Sequence, residues 1–494
     1  MSERIAKMHE AVRASGPPII ELQRALLFTE SFKTTEGQPL VLRWGKAIKH
    51  IAENIEVAIL PGELIVGRVH NYFGRCVIAF PEVDGSLLPG GMEASEAAKG
   101  KPGYIAYPEE AKKAIRDVIA PYWTPRDYVT AFAGVLPDET RNLIFGPDRK
   151  NTLMQMGILV ATASFRAASY FVVDFDKMLK LGCKGIRADA QARLAKLTNP
   201  NDYARKAPFL QAVVLACDAM AIWASRFAKL ATDLAGKEKD PQRKRELEEI
   251  AEVCQWVPEN PARTFREALQ AAWFVQIWTK IEQNMGSTQG GRMDQYLYPY
   301  YRKDIAEGRT TDATVIELLQ CVWIQQEQVM PSLVSKTAAA SAEGFAHFEL
   351  VSIGGLTRDG QDATNELSYL LLESGRPMQS NYPEFGIRTH ANTPDKLLRI
   401  AVEMVKDGKG TPKFLNDEAI IPFYNDRGVP MREAMDYSAS SCCNCRAIHR
   451  ETGISGGAMI NMGAVLELTL RNGKIKVLKD AQFGLQTGDP RTFK

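Results

Sequence analysis

The chain has 494 residues, with 61 Lys and Arg against 59 Asp and Glu, so its formal net charge is only +2. That balance gives no electrostatic reason to bind nucleic acid or an anionic membrane. Hydrophobic residues at 45% and charged residues at 24% are ordinary for a globular protein with a large core. No uninterrupted apolar run approaches the ~18 residues that would argue for a transmembrane helix. Met1 to Lys7 opens an amphipathic charged helix rather than a secretory signal. Cysteines 76, 183, 217, 254 and 321 are scattered and 442, 443 and 445 are clustered, which is no disulfide framework. A reduced, cytoplasmic protein without nucleic-acid or membrane partners is expected.

In chain order, residues 1 to 60 read as helices, with apolar spacing through Glu21–Leu27 and again from Gln38 to Ala58. Glu63–Gly67 follows Pro61-Gly62 as a short buried run and predicts a strand leaving a turn. Helical patterns then dominate from Tyr107 to Trp256, including Glu109–Tyr122, Gln211–Leu234 and Gln242–Val257. The Met, Trp and Phe stripe in 215–227 reads as core, and the charge run in 242–257 as a solvated face. Thr264–Glu282 is a further helix, leading into Gly286-Ser287-Thr288-Gln289-Gly290-Gly291-Arg292-Met293-Asp294. No Lys-Ser/Thr follows those glycines, which argues against a phosphate loop. Arg292 suits a bidentate pair with Asp294 or with a distant carboxylate.

Phe348–Gly355, Phe385–His390 and Phe414–Asp417 read as strands, each followed by a helical pattern. Asp362 or Thr364 is the expected N-cap of the first of these helices, and Pro394–Lys406 is the second. This repeat predicts an α/β protein with a parallel sheet or barrel and helices outside. Loops after the strands would carry a site, so Arg388, His390, Asn416 and the 441–446 loop are expected to converge. That loop, Asp436-Tyr437-Ser438-Ala439-Ser440-Ser441-Cys442-Cys443-Asn444-Cys445-Arg446, places three cysteines within four positions among small residues. Gly453, Gly456 and Gly457 come next, then an apolar helical pattern from Met459 to Leu470.

The phrase Asp-Tyr, three residues, a small residue and Cys, followed by a helix reading A-x-x-L-E-L-x-L-x-N-G, resembles the cysteine loop of glycyl radical enzymes, the pyruvate formate-lyase superfamily. Further phrases resemble that superfamily in the same order: Thr29–Gly37, Glu63–Gly67 and Phe80-Pro81-Glu82 near the start, then Gly291-Arg292-x-Asp294-Gln295. Gly354-Gly355-x-Thr357-x-Asp359-Gly360 with Asp362–Tyr369, Arg388-x-His390 and Pro412-Lys413-Phe414-x-Asn416-Asp417-Glu418 complete the set, so the resemblance runs from Glu30 to Arg491. It implies a ten-stranded α/β barrel, possibly incomplete in this chain, surrounded by helices. Residues 1–494 are then one catalytic domain, with a helical part to about residue 340 and a strand–helix part carrying the cysteine loop from about 341.

The resemblance also implies the chemistry. Cys442 takes the place of the thiyl-forming cysteine and Ser441 that of the small residue before it. A separate radical-SAM iron–sulfur activase installs a glycyl radical, the glycyl radical oxidises the cysteine, and the thiyl takes a hydrogen atom from a small-molecule substrate. No other cofactor and no metal is expected to be bound directly. The family's Arg-Val-x-Gly-type loop has no match here, so a missing C-terminal segment or a partner chain is expected to supply the glycyl radical. A homo- or hetero-oligomer is a further implication.

Asn444 falls where the family's dehydratases carry a glutamate base, and an amide only donates and accepts hydrogen bonds. That departure disfavours the glycerol, propanediol, hydroxyproline, choline and isethionate types, and raises fumarate-adding synthases of the benzylsuccinate and alkylsuccinate kind. Arg446 and Arg450, with Arg388 and His390, are the candidates to hold a substrate's acid group, because guanidinium forks match carboxylates. Pairing of Arg450 with Glu451 is the competing reading. Cys443 is a candidate second thiol, against plain packing for Cys443 and Cys445. A metal site from Cys442, Cys443, Cys445 and His449 has tighter spacing than usual and no second cluster. The reading is a thiyl-radical C–C or C–X lyase acting on a small organic or aromatic acid. Its alternatives are a fumarate-adding enzyme and a non-catalytic scaffold subunit or truncated relic.

Overall fold

The computed structural model describes residues 1–101, 104–145, 153, 158–160, 170–282, 287–330, 349–378, 383–408, 410–440, 444–448, 450, 459–476, 479–486 and 488. The first helix, α1 (Glu3–Arg13), starts where the Ser2 side chain accepts from the Ile5 N–H, and it buries Ile5, Met8 and Val12 on one face. Strand β1 (Ile19–Glu21) precedes α2 (Gln23–Thr34) and α3 (Leu40–Asn54), whose contact faces carry Phe28, Phe32, Ile48 and Ile51. Strand β2 (Cys76–Ile78) runs parallel to β1.

Four long helices then make most of the body: α4 (Phe175–Ala195), α5 (Pro200–Ala235), α6 (Pro241–Trp256) and α7 (Phe265–Glu282). Asn199 and Asp240 cap α5 and α6, each followed by a proline whose missing N–H costs nothing in a first turn. By length and composition α5 could cross a membrane. It packs against α3, α4 and α6 and buries Trp223 and Phe227 completely, with 33% of its apolar stretch buried. Helix α7 is buried almost along its whole length and holds Gln270, Gln276 and Lys280 inside the protein. Helix α8 (Asp312–Gln328) follows, and strand β3 (Val329–Met330) pairs parallel with β2.

Glu63–Gly67 is not a strand. Its backbone groups are satisfied by side chains from neighbouring helices. The Gln270 amide accepts from Val66 N–H at 2.9 Å and donates to Val66 C=O at 2.7 Å, so one glutamine does the work of a neighbouring strand. Trp273 Nε1 donates to Gly67 C=O at 3.0 Å. The apolar run thus reported burial correctly, while no strand pairs with it among the described residues.

The second parallel sheet consists of β4 (Leu350–Gly354), β5 (Glu384–Thr389) and β6 (Lys413–Asn416). Helix α9 (Glu366–Gly375) follows β4 and is capped by Asn365 in a reciprocal box with Ser368, not by Asp362 or Thr364. Asp362 accepts from the Thr364 hydroxyl at 2.9 Å instead, an Asx arrangement that brings the chain round to the cap. Helices α10 (Asp395–Lys406) and α11 (Asp417–Asn425) follow β5 and β6. The glycine-rich loop flanks this sheet: Gly290 N–H donates to Leu350 C=O at 3.2 Å and Ser352 N–H to Gly291 C=O at 2.8 Å. Strands β7 (Ser438–Ser440) and β8 (Asn444–Arg446) form an antiparallel pair, and α12 (Met462–Leu470) lies beyond them with Met462 and Leu466 exposed. One apolar core runs from Ile5 through β4 and β5 to Met404, crossing the expected boundary near residue 340.

Glu21, at the end of β1, is a buried acid whose ionisation the fold opposes. Burial pushes its carboxyl from an ordinary 4.5 up to about 7, against the hydrogen bond it receives from Gln23 N–H. Between those values the fold keeps a proton that the unfolded chain has lost, so Glu21 destabilises the protein progressively as pH rises from 4.5 to 7. Glu21→Gln is expected to raise unfolding stability by about 3 kcal/mol at pH 8 and to leave it unchanged near pH 4. Urea titrations at both pH values check this, and an equal effect at both would exclude titration of Glu21 as the cause.

Candidate active site

The cysteine stretch hangs from a buried ionic framework at the ends of the parallel strands. Arg388, near the end of β5, and Asp417, at the start of α11 directly after β6, are both wholly buried. Arg388 Nε and Nη2 donate to the two Asp417 oxygens at 2.9 and 2.8 Å, a fork-to-fork pair. Two further Arg388 N–H groups reach the Tyr437 and Met435 carbonyls, each at 2.9 Å. Tyr437 returns the connection: its hydroxyl donates to Asp417 Oδ1 at 2.6 Å and its ring lies 3.9 Å from the Arg388 guanidinium carbon. Burial works against the Arg388 charge, yet Tyr437 and Asp417 more than offset it and hold its pKa above the ordinary value.

A second arginine ties the same stretch to the glycine-rich loop. Arg292 Nη1 donates to Asp436 Oδ1 at 2.8 Å, and Nη2 donates to Leu356 C=O at 2.9 Å and Gly354 C=O at 3.1 Å. Arg358 takes the other Asp436 oxygen at 2.6 and 2.9 Å. Of the two carboxylates expected for Arg292, the distant one is therefore its partner. Asp294 turns to Gly354 N–H at 2.8 Å and the Ser368 hydroxyl at 2.6 Å. Gly355 makes the arrangement possible: its φ is +78°, and a Cβ there would lie 2.5 Å from Arg388 Nε.

From this root β7 lies against β4. Ala439 N–H donates to Ser352 Oγ at 2.9 Å, and the Ser352 and Ser438 hydroxyls are 2.9 Å apart, all buried. Small residues at 438–440 allow that approach. Ser438 pairs with Arg446, Ala439 with Cys445 and Ser440 with Asn444. Cys445 is half-buried, its carbonyl accepting from the Tyr424 hydroxyl. Ser441, Cys442 and Cys443, which join the paired strands, lie outside the described residues, as do His449, Gly453, Gly456 and Gly457.

The candidate residues fare differently. Asn444 and Arg446 sit half-buried on β8, next to the cysteines in sequence. Arg388 does not face a substrate space: Asp417 and two carbonyls take four of its donors, which makes it a positioning residue. His390 faces Asp362, with Nε2 3.2 Å from Oδ1, while its Nδ1 accepts from Asn392 N–H at 3.2 Å. That second bond places the proton of a neutral ring on Nε2. Asn416 caps α11 by accepting from Glu418 N–H at 2.9 Å. Arg450 is exposed and forks onto Glu433, with Nη2 at 3.1 Å from Oε1, while Glu451, its other expected partner, lies outside the described residues. The Arg450 pKa is raised by the hydrogen bond it donates to the Glu433 carboxylate. Asp417 and Arg358 were missed as partners because their contacts cross 29 and 78 residues of sequence. A cavity of about 300 Å³ opens beside the root, walled by Phe175, Arg292, Tyr296, Arg358, Asp436 and Ile448.

Parallel strands wrapped by helices, with a cysteine stretch braced at their ends, define an α/β barrel protein organised around a cysteine loop. The chain belongs to the pyruvate formate lyase-like family, whose model matches residues 1–494. It is 46% identical over 97% of its length to the isethionate sulfite-lyase of Nitratidesulfovibrio vulgaris, and 33% identical over 99% to the trans-4-hydroxy-L-proline dehydratase of Clostridioides difficile. The alignments span 57% and 60% of those two relatives. Among solved structures, the glycerol-bound B12-independent glycerol dehydratase from Clostridium butyricum superposes with a TM-score of 0.89 at 31% identity, covering 99% of this chain and 60% of that one. The fold is thus the α/β barrel of glycyl radical enzymes. Its described strands fall into separate short sheets and not one continuous set of ten.

Asp417→Asn leaves the Arg388 charge buried with half its fork, and is expected to cost about 3–5 kcal/mol of unfolding stability. Tyr437→Phe, losing one hydrogen bond to the same oxygen, should cost about 1–3 kcal/mol. Denaturant titrations of both variants and of the double variant check this. Strictly additive losses would show that the three groups are not one network.

Proposed function

We propose that the chain is the catalytic region of a glycyl radical lyase that breaks a C–X or C–C bond in a small organic acid, with Cys442 as the sulfur that exchanges a hydrogen atom with substrate. The observation that carries this reading is the 46% identity to an isethionate sulfite-lyase over nearly the whole chain. The glycyl radical, installed by a radical-SAM activase, supplies the oxidising equivalent that turns the thiol into a thiyl. The chain's own residues do the rest. As the substrate C–H bond breaks, an S–H bond forms at Cys442; after the leaving group departs, the same hydrogen returns to the product radical.

Asn444 separates this chain from members with a glutamate at that place. An amide takes no proton, so Asn444 orients the substrate through hydrogen bonds and the leaving group departs without a carboxylate base on β8. Arg446, half-buried two residues further on, is the cation best placed for the acid group of the substrate. Arg450, already forked onto Glu433, and His390, held by Asp362, are secondary. Cys443 is the alternative thiol. A polypeptide section bearing the glycyl radical, from the same or a second chain, completes the enzyme, and the exposed apolar residues of α12 support such a neighbour. Cytoplasmic location and assembly into an oligomer belong to the same proposal. Fumarate addition draws no support from the relatives named above.

The test is anaerobic activation with the activase and the glycyl-bearing polypeptide, followed by a sulfite assay on isethionate and a panel of small hydroxylated and aromatic acids. A glycyl doublet in electron paramagnetic resonance together with product release is expected, with product reduced at least a thousandfold in Cys442→Ser while the doublet persists. Turnover by Cys442→Ser would move the assignment to Cys443. A doublet without turnover on any acid would overturn the lyase reading, and no doublet with a competent activase would favour a scaffold.

A further inference from the structure

Outside the cysteine stretch, two other cysteines lie on a pair of packed helices. Cys183 lies on α4 and Cys217 on α5, and both are reduced and buried, at 0% and 7% exposure. The two helices are antiparallel neighbours joined by a short turn, and they pack closely along their length. Arg187, one turn beyond Cys183, donates from Nε to Asp218 Oδ1 at 2.8 Å, and Asp218 is the residue after Cys217. The same guanidinium forks onto Glu259 at 2.8 and 3.0 Å, which holds it in place. On the Cys183 side the backbone is pinned as well. Gly182 has φ +61° with no room for a Cβ, and Cys183 N–H donates to Pro258 C=O at 2.8 Å. The helix packing and the Arg187–Asp218 contact thus bring the two thiols near enough for each to perturb the other's ionisation.

We propose that Cys183 and Cys217 form a two-electron redox pair, a modification site that closes to an α4–α5 disulfide when the protein meets a peroxide.

The roles of the two sulfurs follow from their surroundings. The Cys183 S–H hydrogen bond, with help from Arg187 against burial, favours the thiolate of Cys217. Cys183, deeper and acting as the donor, is held as the thiol. Cys217 sulfur then attacks one peroxide oxygen and the O–O bond breaks, giving a sulfenic acid and releasing water or an alcohol. Cys183 sulfur displaces the sulfenic hydroxyl as a second water, and the S–S bond forms. Two thiols lose two electrons and two protons, and the peroxide takes up both. Cys76, Cys254 and Cys321 are equally buried, but burial pushes each thiol upward, and none has a cysteine partner among the described residues.

The experiment uses the full chain, purified without oxygen, exposed to hydrogen peroxide, alkylated in denaturant and digested with trypsin without reductant. The expected product joins Leu181–Lys184 to Ala207–Arg226, two hydrogens lighter than the separate peptides, and dithiothreitol releases it. In Cys183→Ala, dimedone should trap a sulfenic acid at Cys217 because nothing resolves it. The wild-type result decides the matter even where that variant folds poorly. Full alkylation of Cys183 and Cys217 at a peroxide dose that oxidises the 442–445 cluster would overturn the proposal. So would a Cys217 sulfenic acid that persists in the wild-type chain without forming the cross-link.

Discussion

The cysteine loop owes its position to one buried carboxylate. Asp417 accepts both arms of the Arg388 fork, the Tyr437 hydroxyl and Leu356 N–H, so four bonds from three segments end on two oxygens. A lone carboxylate without exposure would be strongly disfavoured, and so would a lone guanidinium. Each is acceptable only because the other is there, and neither can turn away without leaving a charge unpaired. This makes the geometry at the root of β7 nearly all-or-none. For the hydrogen-atom exchange proposed here, such stiffness is worth more than the marginal stability a buried ion pair contributes.

The arrangement also separates support from reactivity. Charged groups cluster at the root, around Asp417 and Asp436, whereas the strand leading to Cys442 carries only small residues, Ser438, Ala439 and Ser440, all fully buried. Ser352 Oγ, which lies 2.9 Å from the Ser438 hydroxyl and accepts from Ala439 N–H, ties this strand to β4. The radical chemistry proposed for Cys442 would require this kind of dry approach, closed to water and stray donors. Arg446 pairs with Ser438 across the hairpin, so its place on β8 is set by the same supports.

Much of this was legible in the sequence. The strand–helix alternation after residue 349 was correctly read because each strand is short with an apolar centre and is followed by a helical pattern, with turn or capping residues such as Gly354, Gly355 and Asn416 between them. The barrel class came from ordered phrases and not from periodicity. What escaped was the side-chain partnership. Arg388 looks like a ligand for an acid because an arginine near a strand's end beside a histidine fits that pattern equally well. Only the fold brings Asp417, 29 residues on, within its reach. Helix N-caps failed for a related reason: Asp362, Thr364 and Asn365 are all competent, and the choice falls to the one whose Ser368 partner also serves Asp294.

The pairing of Gln270 with Val66 has a consequence for how this sequence can vary. The contact uses only the backbone of residue 66 but the whole side chain of residue 270. Position 66 is therefore free to drift among apolar residues of similar size. Position 270 is not: glutamate would lose the donor, and a shorter asparagine would lose the reach. An invariant glutamine on this buried helix would then be the visible trace, across a family, of a peptide group buried beside it.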